Sequence, residues 1–496
     1  MIIVSAIRLP VMSFHVSVLL AVLYVAAALA VSLRVIMRRP PSGVALAWMV
    51  LVAFLPLVGV VFYLLVGERR VGLRRARRIA AVRSDYAKLA DLAIDEGLTR
   101  VPWETHRPEA QGMDRLGTRL VGLPTVAGST ARFFAQSDEI LRAIAADIDA
   151  AQKSVLMEFY IWKQGGVADE VFEALIRASQ RGVCCRVLVD AVGARPWWHG
   201  RQPQQLRQAG VQVRPALPVS LLTAIFSRND LRLHRKIAVL DGQVAWTGSM
   251  NLVDPRFFKQ KAHVGQWVDA MVRLEGAAVS PLAVTMIGDW TLETSERAEA
   301  IITAADIGTS VPKGAEDVQV VPSGPGETDD GLLQMILAVI NSAREELVLT
   351  TPYFVPDDSM ARALRGAAGR GVRVEMILPE RVDSLLTRYA SRSYYDDLLD
   401  LGVRIQLYQK GLLHTKSITA DRRISMFGTV NLDMRSLWLN YEVSLFVYGQ
   451  EFAAQLYALQ QSYVQDCRLL DAREWSRRSR YERFLENSLR LLSPVL

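Results

Sequence analysis

The stretch HTKSITADRRISMFGTVNLDMRSLWLNYEV, residues 414–443, decides the reading of this chain. It opens with His414, Lys416 and Asp421 in the spacing His-x-Lys-x-x-x-x-Asp and runs on, six residues later, into Gly428, Thr429 and Asn431. The segment HRKIAVLDGQVAWTGSMN, residues 234–251, repeats the pattern with His234, Lys236, Asp241, Gly248, Ser249 and Asn251. The chain has only six histidines, so two matches of this length are not accidents of composition. One such histidine alone reads as a buried structural residue; the matched pair reads as chemistry.

Alternate residues of a strand share a face, so His234 points with Lys236 and His414 with Lys416, which sets a nucleophile or acid beside a cation. Ser249, Asn251, Thr429 and Asn431 carry hydroxyl and amide groups suited to phosphoryl oxygens, and the lysines offset charge that develops as a phosphoester breaks. Asp241 and Asp421 complete the motif, but they precede Gly242 and Arg422 at positions that read as turns, so their part is scaffolding.

The duplication extends beyond the motifs. KSVLMEFYIWKQGG (153–166), EVFEALIRASQRGV (170–183) and CCRVLVDAV (184–192) precede the first copy. EELVLTTPYFVPDD (345–358), SMARALRGAAGRGV (359–372) and RVEMILP (373–379) precede the second. Each set reads as apolar strand, helix ended by glycine, apolar strand, which predicts two α/β lobes, each a mixed sheet flanked by helices. The unequal offsets between equivalent elements exclude a solenoid. The punctuated stretch from Ala304 to Gly331 is the expected connection between lobes.

On these residues the chain resembles the phospholipase D superfamily, whose hallmark is this duplicated motif. The resemblance implies that the two copies meet across a pseudo-twofold axis in one site, that a phosphohistidine intermediate forms, and that no metal or other cofactor is needed. The implied catalytic set is His234, Lys236, Asp241, His414, Lys416 and Asp421. A carboxylate that accepts from the second ring nitrogen fixes a histidine's tautomer. The superfamily pattern carries that role to Asp269 for His234 and to Glu442 for His414, with His234 as nucleophile and His414 as acid and then base.

The amino terminus places this chemistry at a membrane. No formal charge falls between Arg8 and Arg34 or from Pro40 to Gly67, and both runs exceed the roughly 20 residues that span a bilayer. A second apolar run directly after the first argues against a cleaved signal peptide. Arginines 34, 38 and 39 lie between the runs, against Arg8 before them and arginines 69, 70, 74, 75, 77 and 78 after. The count predicts a two-helix hairpin with both ends cytosolic. Ten arginines against Glu68 put residues 1–78 at net +9 in a chain of net +7, so the remainder carries −2. The basic character belongs to the anchor. A body without excess positive charge lacks the field expected for nucleic acid, whereas juxtamembrane arginines attract anionic headgroups.

Three cysteines, two adjacent at Cys184 and Cys185, form no disulfide or metal framework. LPVSLLTAIFSRND (217–230) is apolar enough for a loop that dips into lipid or for a buried connection. Near the carboxyl end, Tyr481, Phe484, Leu485, Leu489 and Leu492 share one helical face that either docks on the body or lies on a membrane.

Within the superfamily the chain is most similar to bacterial membrane-anchored cardiolipin synthases. The hairpin RRPPSGVALAWMVLVAFLPLVGVVFYLLVG, EFYIW, TPYFVPDD and above all the block at 414–443 carry that resemblance; Leu233 and Val268 depart from the family pattern. It implies transfer of a phosphatidyl group between two phosphatidylglycerol molecules at a bilayer with anionic headgroups, in a bacterial inner membrane. A phospholipase D, or another phosphodiesterase including a nuclease, would use the same site. The expected domains are a hairpin at 1–67, a basic linker at 68–115, and lobes at 116–310 and 311–496.

Overall fold

The computed structural model describes residues 14–40, 42–68, 73–219, 228–328 and 330–491. The chain divides into two units, Met1–Gly72 with Ser220–Asn229, and Leu73–Val219 with Asp230–Leu496. Most of the apolar segment considered for a lipid-dipping loop, residues 220–227, lies outside the described residues, as does Leu492.

In the first unit, α1 (Phe14–Arg38) is long and apolar enough to cross a membrane. The second apolar run does not form one spanning helix. It is divided into α2 (Ser42–Phe54) and α3 (Pro56–Val66), each shorter than the roughly 20 residues a bilayer needs. Pro56 stands at the start of α3, where its missing N–H is tolerated; within a continuous helix it would delete a backbone bond and clash with the preceding turn. The chain reverses there. Trp48 packs on Phe62 and Tyr63 with ring centroids 5.7 and 5.2 Å apart. Gly59 lies so close to α2 that a Cβ would stand 2.7 Å from the Leu51 carbonyl oxygen.

Two bonds fix both ends of this reversed pair against α1. The Tyr24 hydroxyl donates to the Val52 carbonyl at 2.8 Å, and Arg34 Nη2 donates to Glu68 at 2.8 Å. Residue 68 therefore returns beside the carboxyl end of α1, and α2–α3 is a helical hairpin packed on α1. The expected two-helix hairpin counted apolar length and took no account of the proline that breaks its second helix.

The second unit holds twenty strands: β1 (Val126–Phe134), β2 (Ser154–Phe159), β3 (Cys184–Asp190), β4 (Gln212–Ala216), β5 (Arg232–Leu233), β6 (Ile237–Leu240), β7 (Val244–Gly248), β8 (Trp267–Val268), β9 (Met271–Gly276), β10 (Glu316–Ser323), β11 (Glu346–Thr350), β12 (Phe354–Val355), β13 (Arg373–Pro379), β14 (Arg404–Tyr408), β15 (Leu412–Leu413), β16 (Ser417–Ala420), β17 (Ile424–Gly428), β18 (Leu432–Asp433), β19 (Asn440–Tyr448) and β20 (Cys467–Leu469) among the described residues. One continuous sheet runs β4-β3-β2-β6-β7-β9-β1-β10-β19-β17-β16-β11-β13-β14-β20. Read outward from the antiparallel β1–β10 junction, the two halves repeat one order: antiparallel neighbours first, then a parallel outer set, β2-β3-β4 in one and β11-β13-β14 in the other.

The two lobes are thus one sheet with a pseudo-twofold axis at its middle. Strand β10 lies inside the stretch read as connection; its eight residues are flanked by turn residues on both sides, so local punctuation hid it. The parallel pairs are joined by the helices Ala168–Gln180 and Asp358–Gly369, which end in matching left-handed turns at Gly182 (φ 90°) and Gly371 (φ 88°). The expected basic linker contains helix α4 (Leu73–Asp95), whose Arg75 bonds Glu293 at 2.6 Å and the Tyr441 hydroxyl at 3.0 Å.

Candidate active site

Each motif enters the site from a two-residue strand that pairs with the other half of the molecule. Strand β5 runs parallel to β19, with Leu233 opposite Tyr441, and the His234 N–H continues the pairing onto the Tyr441 carbonyl at 2.9 Å. Strand β15 runs parallel to β8, with Leu413 opposite Val268, and the His414 N–H bonds the Val268 carbonyl at 2.8 Å. The next residue on β19 is Glu442, and the next after β8 is Asp269. Each histidine therefore meets the acid of the opposite lobe.

His234 Nδ1 lies 2.8 Å from the Glu442 carboxylate, and His414 Nδ1 lies 2.7 Å from Asp269. This corrects the same-lobe pairing expected from sequence. The cause is the register of two short parallel pairings, which no feature of either motif encodes. A carboxylate only accepts, so Nδ1 carries the proton and the Nε2 lone pair is left free on both rings.

The hydroxyls expected to face phosphate serve the acids instead. Ser249 Oγ donates to Asp269 at 2.6 Å, and Thr429 Oγ1 donates to Glu442 at 2.6 Å. The same oxygens accept from Ala270 N and Val443 N, which locks the acid-bearing strands to the motif turns. Asn251 Oδ1 accepts from the Ile161 N–H at 3.0 Å while its Nδ2 has no partner, and Asn431 Oδ1 has none either. The unpartnered Asn251 Nδ2 is a donor, and the unpartnered Asn431 Oδ1 is an acceptor.

Lys236 Nζ and Lys416 Nζ donate to the carbonyls of His234 and His414, and both ammonium groups are buried. Asp241 and Asp421 lie outside the constellation. Each sits in a left-handed turn, φ 52° and 49°, and accepts three successive backbone N–H groups, from Gln152, Lys153 and Ser154 or from Arg344, Glu345 and Glu346, at 2.8–2.9 Å. Each ties its motif hairpin to the start of β2 or β11.

The electrostatics follow from burial. Desolvation, with nearby Lys236 opposed by Glu442, lowers the His234 pKa to about 4. Desolvation and Lys416 lower that of His414 to about 3. Both rings are neutral near pH 7. Each lysine also depresses the histidine of the other motif, so the two copies share one electrostatic site. Burial brings Lys236 down to about 8 and Lys416 well below its ordinary value. Burial pushes Asp269 and Glu442 upward, but the histidines, the lysines and the Ser249 or Thr429 hydroxyl outweigh it and hold both below the usual carboxylate range.

Sequence reasoning passed over several residues that line this site. The Tyr160 ring lies 5.0 Å from His234 and the Trp267 ring 4.3 Å from His414, walls that orient the imidazoles. Asn440 Nδ2 donates to Glu442 at 3.1 Å. Arg235, between the two motif residues, turns away from His234 to bond Asp289 at 2.5 Å and the Glu442 carbonyl at 2.8 Å. Tyr160 sits in the EFYIW string, whose match to TPYFVPDD was the available signal.

A duplicated α/β sheet that brings two His-Lys pairs together across its axis defines a phospholipase D-type fold. A family model described as a cardiolipin synthase, PLD-like domain matches residues 144–269 and 336–462, and one for a phospholipase D-nuclease amino-terminal region matches 22–68. Cardiolipin synthase A of Erwinia tasmaniensis is 41% identical over 467 residues, 94% of this chain and 96% of that protein. Cardiolipin synthase A of Escherichia coli O157:H7 matches to the same extent. The crystal structure of phosphatidylserine synthase from Haemophilus influenzae shares the fold, with a TM-score of 0.60 and 17% identity over 78% of this chain and all of that one. The chain belongs to the phospholipase D-type cardiolipin synthase family, enzymes that transfer phosphatidyl groups.

Proposed function

We propose that the chain condenses two phosphatidylglycerol molecules into cardiolipin and free glycerol through a phosphatidyl-histidine. Neutral His234 attacks phosphorus with Nε2. The bond from phosphorus to the headgroup glycerol oxygen breaks, and protonated His414 gives that oxygen its proton. The headgroup hydroxyl of a second phosphatidylglycerol then loses its proton to His414 and attacks the phosphohistidine, which frees His234.

The phosphodiester anion supplies the negative charge that raises the histidine pKa values on binding, so the low values belong to the empty site. Lys236 and Lys416 stabilise the charge on phosphorus in both steps, and Asn251 and Asn431 orient the oxygens. The observation that carries the reading is the pair of crossed His-carboxylate contacts beside two buried lysines. Expression in a strain without cardiolipin tests it: cardiolipin should appear with the native chain, be absent with His234→Ala, and form in vitro in the presence of a chelator. Phosphatidic acid as the sole product would sink the transfer reading.

We further propose that α1 anchors the enzyme in the bacterial inner membrane with the catalytic body cytosolic. A re-entrant path of α2–α3 lets Arg34, Arg38 and Arg39 count together with the six arginines that follow Glu68, nine against Arg8. Alkaline phosphatase fused after residue 40 or after residue 80 should be inactive in both cases. Activity after residue 40 alone would restore the two-span hairpin.

A further inference from the structure

The helix Arg480–Arg490 is mounted inside out. Its buried residue is Glu486, which bonds Arg392 at 2.7 Å and Arg478 at 2.5 Å. Its two aromatic residues face outward, Tyr481 at 73% and Phe484 at 70% exposure, while Leu485 and Leu489 are half-buried. It packs on the helix Leu385–Arg392, whose Leu385 is 68% exposed and whose Leu386 is also exposed. A helix in water buries its apolar stripe and exposes its charges; this pair leaves Tyr481, Phe484, Leu385 and Leu386 outside and buries an ion-pair network instead. That arrangement is stable only if the apolar face has somewhere to go.

Charge identifies the occupant. Residues 473–491 hold six arginines against three glutamates, net +3, in a body that is −2 as a whole. Both signs are partly engaged: Glu486 is buried against Arg392 and Arg478, Glu482 closes the capping box with Ser479, Arg483 lies 3.6 Å from Asp396, and Arg490 lies 3.7 Å from Asp358. Arg480 and Arg483 flank Tyr481 and Phe484. Aromatic residues interleaved with arginines on one exposed face match the interface of an anionic bilayer, where rings sit at headgroup depth and guanidinium groups reach phosphates. A protein partner of ordinary composition offers no comparable density of negative charge.

We propose that the helices Leu385–Arg392 and Arg480–Arg490 form a bilayer-contact surface of the catalytic body, inserting Tyr481, Phe484, Leu385 and Leu386 among anionic headgroups. The proposal deepens the reading that the substrate is a bilayer phospholipid and rests on it for its purpose, but its test does not depend on catalysis. Phe484→Trp in the full chain adds one tryptophan to the ten present. In nanodiscs made with phosphatidylglycerol and bromine-labelled lipid, the variant-minus-native emission should fall about twofold and resist aqueous iodide. Quenching by iodide without quenching by bromolipid would overturn the surface. Protection from both quenchers would also overturn it, since a protein, such as a second copy of this chain, would then cover the face. Tyr481→Trp gives the same readout should the first variant fail to fold.

Discussion

The layer behind His234 is ionic, and the layer behind His414 is neutral. Arg235, buried, bonds Asp289 at 2.5 Å, Glu327 at 3.4 Å and the carbonyls of Glu442 and Ser323. Both carboxyl oxygens of buried Glu158 lack a hydrogen-bond partner, and burial with nearby Asp289 pushes that group well above the usual carboxylate range. At the matching position of the second motif stands Thr415, whose hydroxyl meets that of Tyr463 at 3.0 Å; beside it Gln460 bonds Ser417 at 3.0 Å. The three N–H groups that cap Asp241 and Asp421 equate Ser154 with Glu346, hence Glu158 with Thr350. The duplication has kept what would face the phosphate and let the supporting layer diverge. Two chemically matched histidines are thereby placed in unequal surroundings.

The largest expected effect tests the crossed contacts themselves. Glu442→Gln should slow covalent intermediate formation by on the order of 10³-fold or more, as should His234→Ala. Asp269→Asn should spare that step for a donor whose leaving group needs no proton, as should His414→Ala. Rapid-quench trapping of labelled phosphatidyl-enzyme measures both, and the opposite assignment would undo the crossing.

Stability comes next. Arg235→Ala leaves Asp289 and Glu327 without their cation and should cost about 3–5 kcal/mol, against about 1 kcal/mol for Thr415→Val, read from denaturant midpoints of the detergent-solubilised chain. Equal losses would erase the distinction between the layers.

A smaller effect concerns pH. Because burial holds Lys236 at about 8, kcat/KM should decline as pH rises through about 8 while the ammonium is lost. Lys236→Arg, if active, should move that decline to higher pH. A limb that stays near 8 would assign it to another group.

The smallest effect is that of Glu158→Gln. A carboxyl whose folded pKa is raised is protonated in the fold where the unfolded chain is ionised, so its contribution to stability is full below the unfolded value and falls as pH rises above it. The variant should sit within about 1 kcal/mol of the native chain at pH 5 and gain on it toward pH 8. A native stability independent of pH over that interval, relative to the variant, would mean that Glu158 is ionised in the fold.

Local chemistry made much of this molecule readable from its residues. His-x-Lys spacing put each pair on one side of an extended segment, aspartates before Gly242 and Arg422 marked turns, and the strand–helix–glycine–strand repeats named the two lobes. These are short-range consequences of backbone geometry, settled within a few residues. Tertiary structure decided the rest. Which acid serves which histidine depends on two-residue strands that pair across more than a hundred residues, and β10 is a central strand only because β1 and β19 flank it. The second apolar run is long enough to span, yet Pro56 and the packing of Trp48 on Phe62 and Tyr63 fold it back. The amphipathic stripe of the last helix was plain in the sequence, but its direction was not: Glu486 pairs with the distant Arg392 as well as the nearby Arg478 and leaves Tyr481 and Phe484 outside, and the energy of the distant contact exists only where the chain has already brought the partners together.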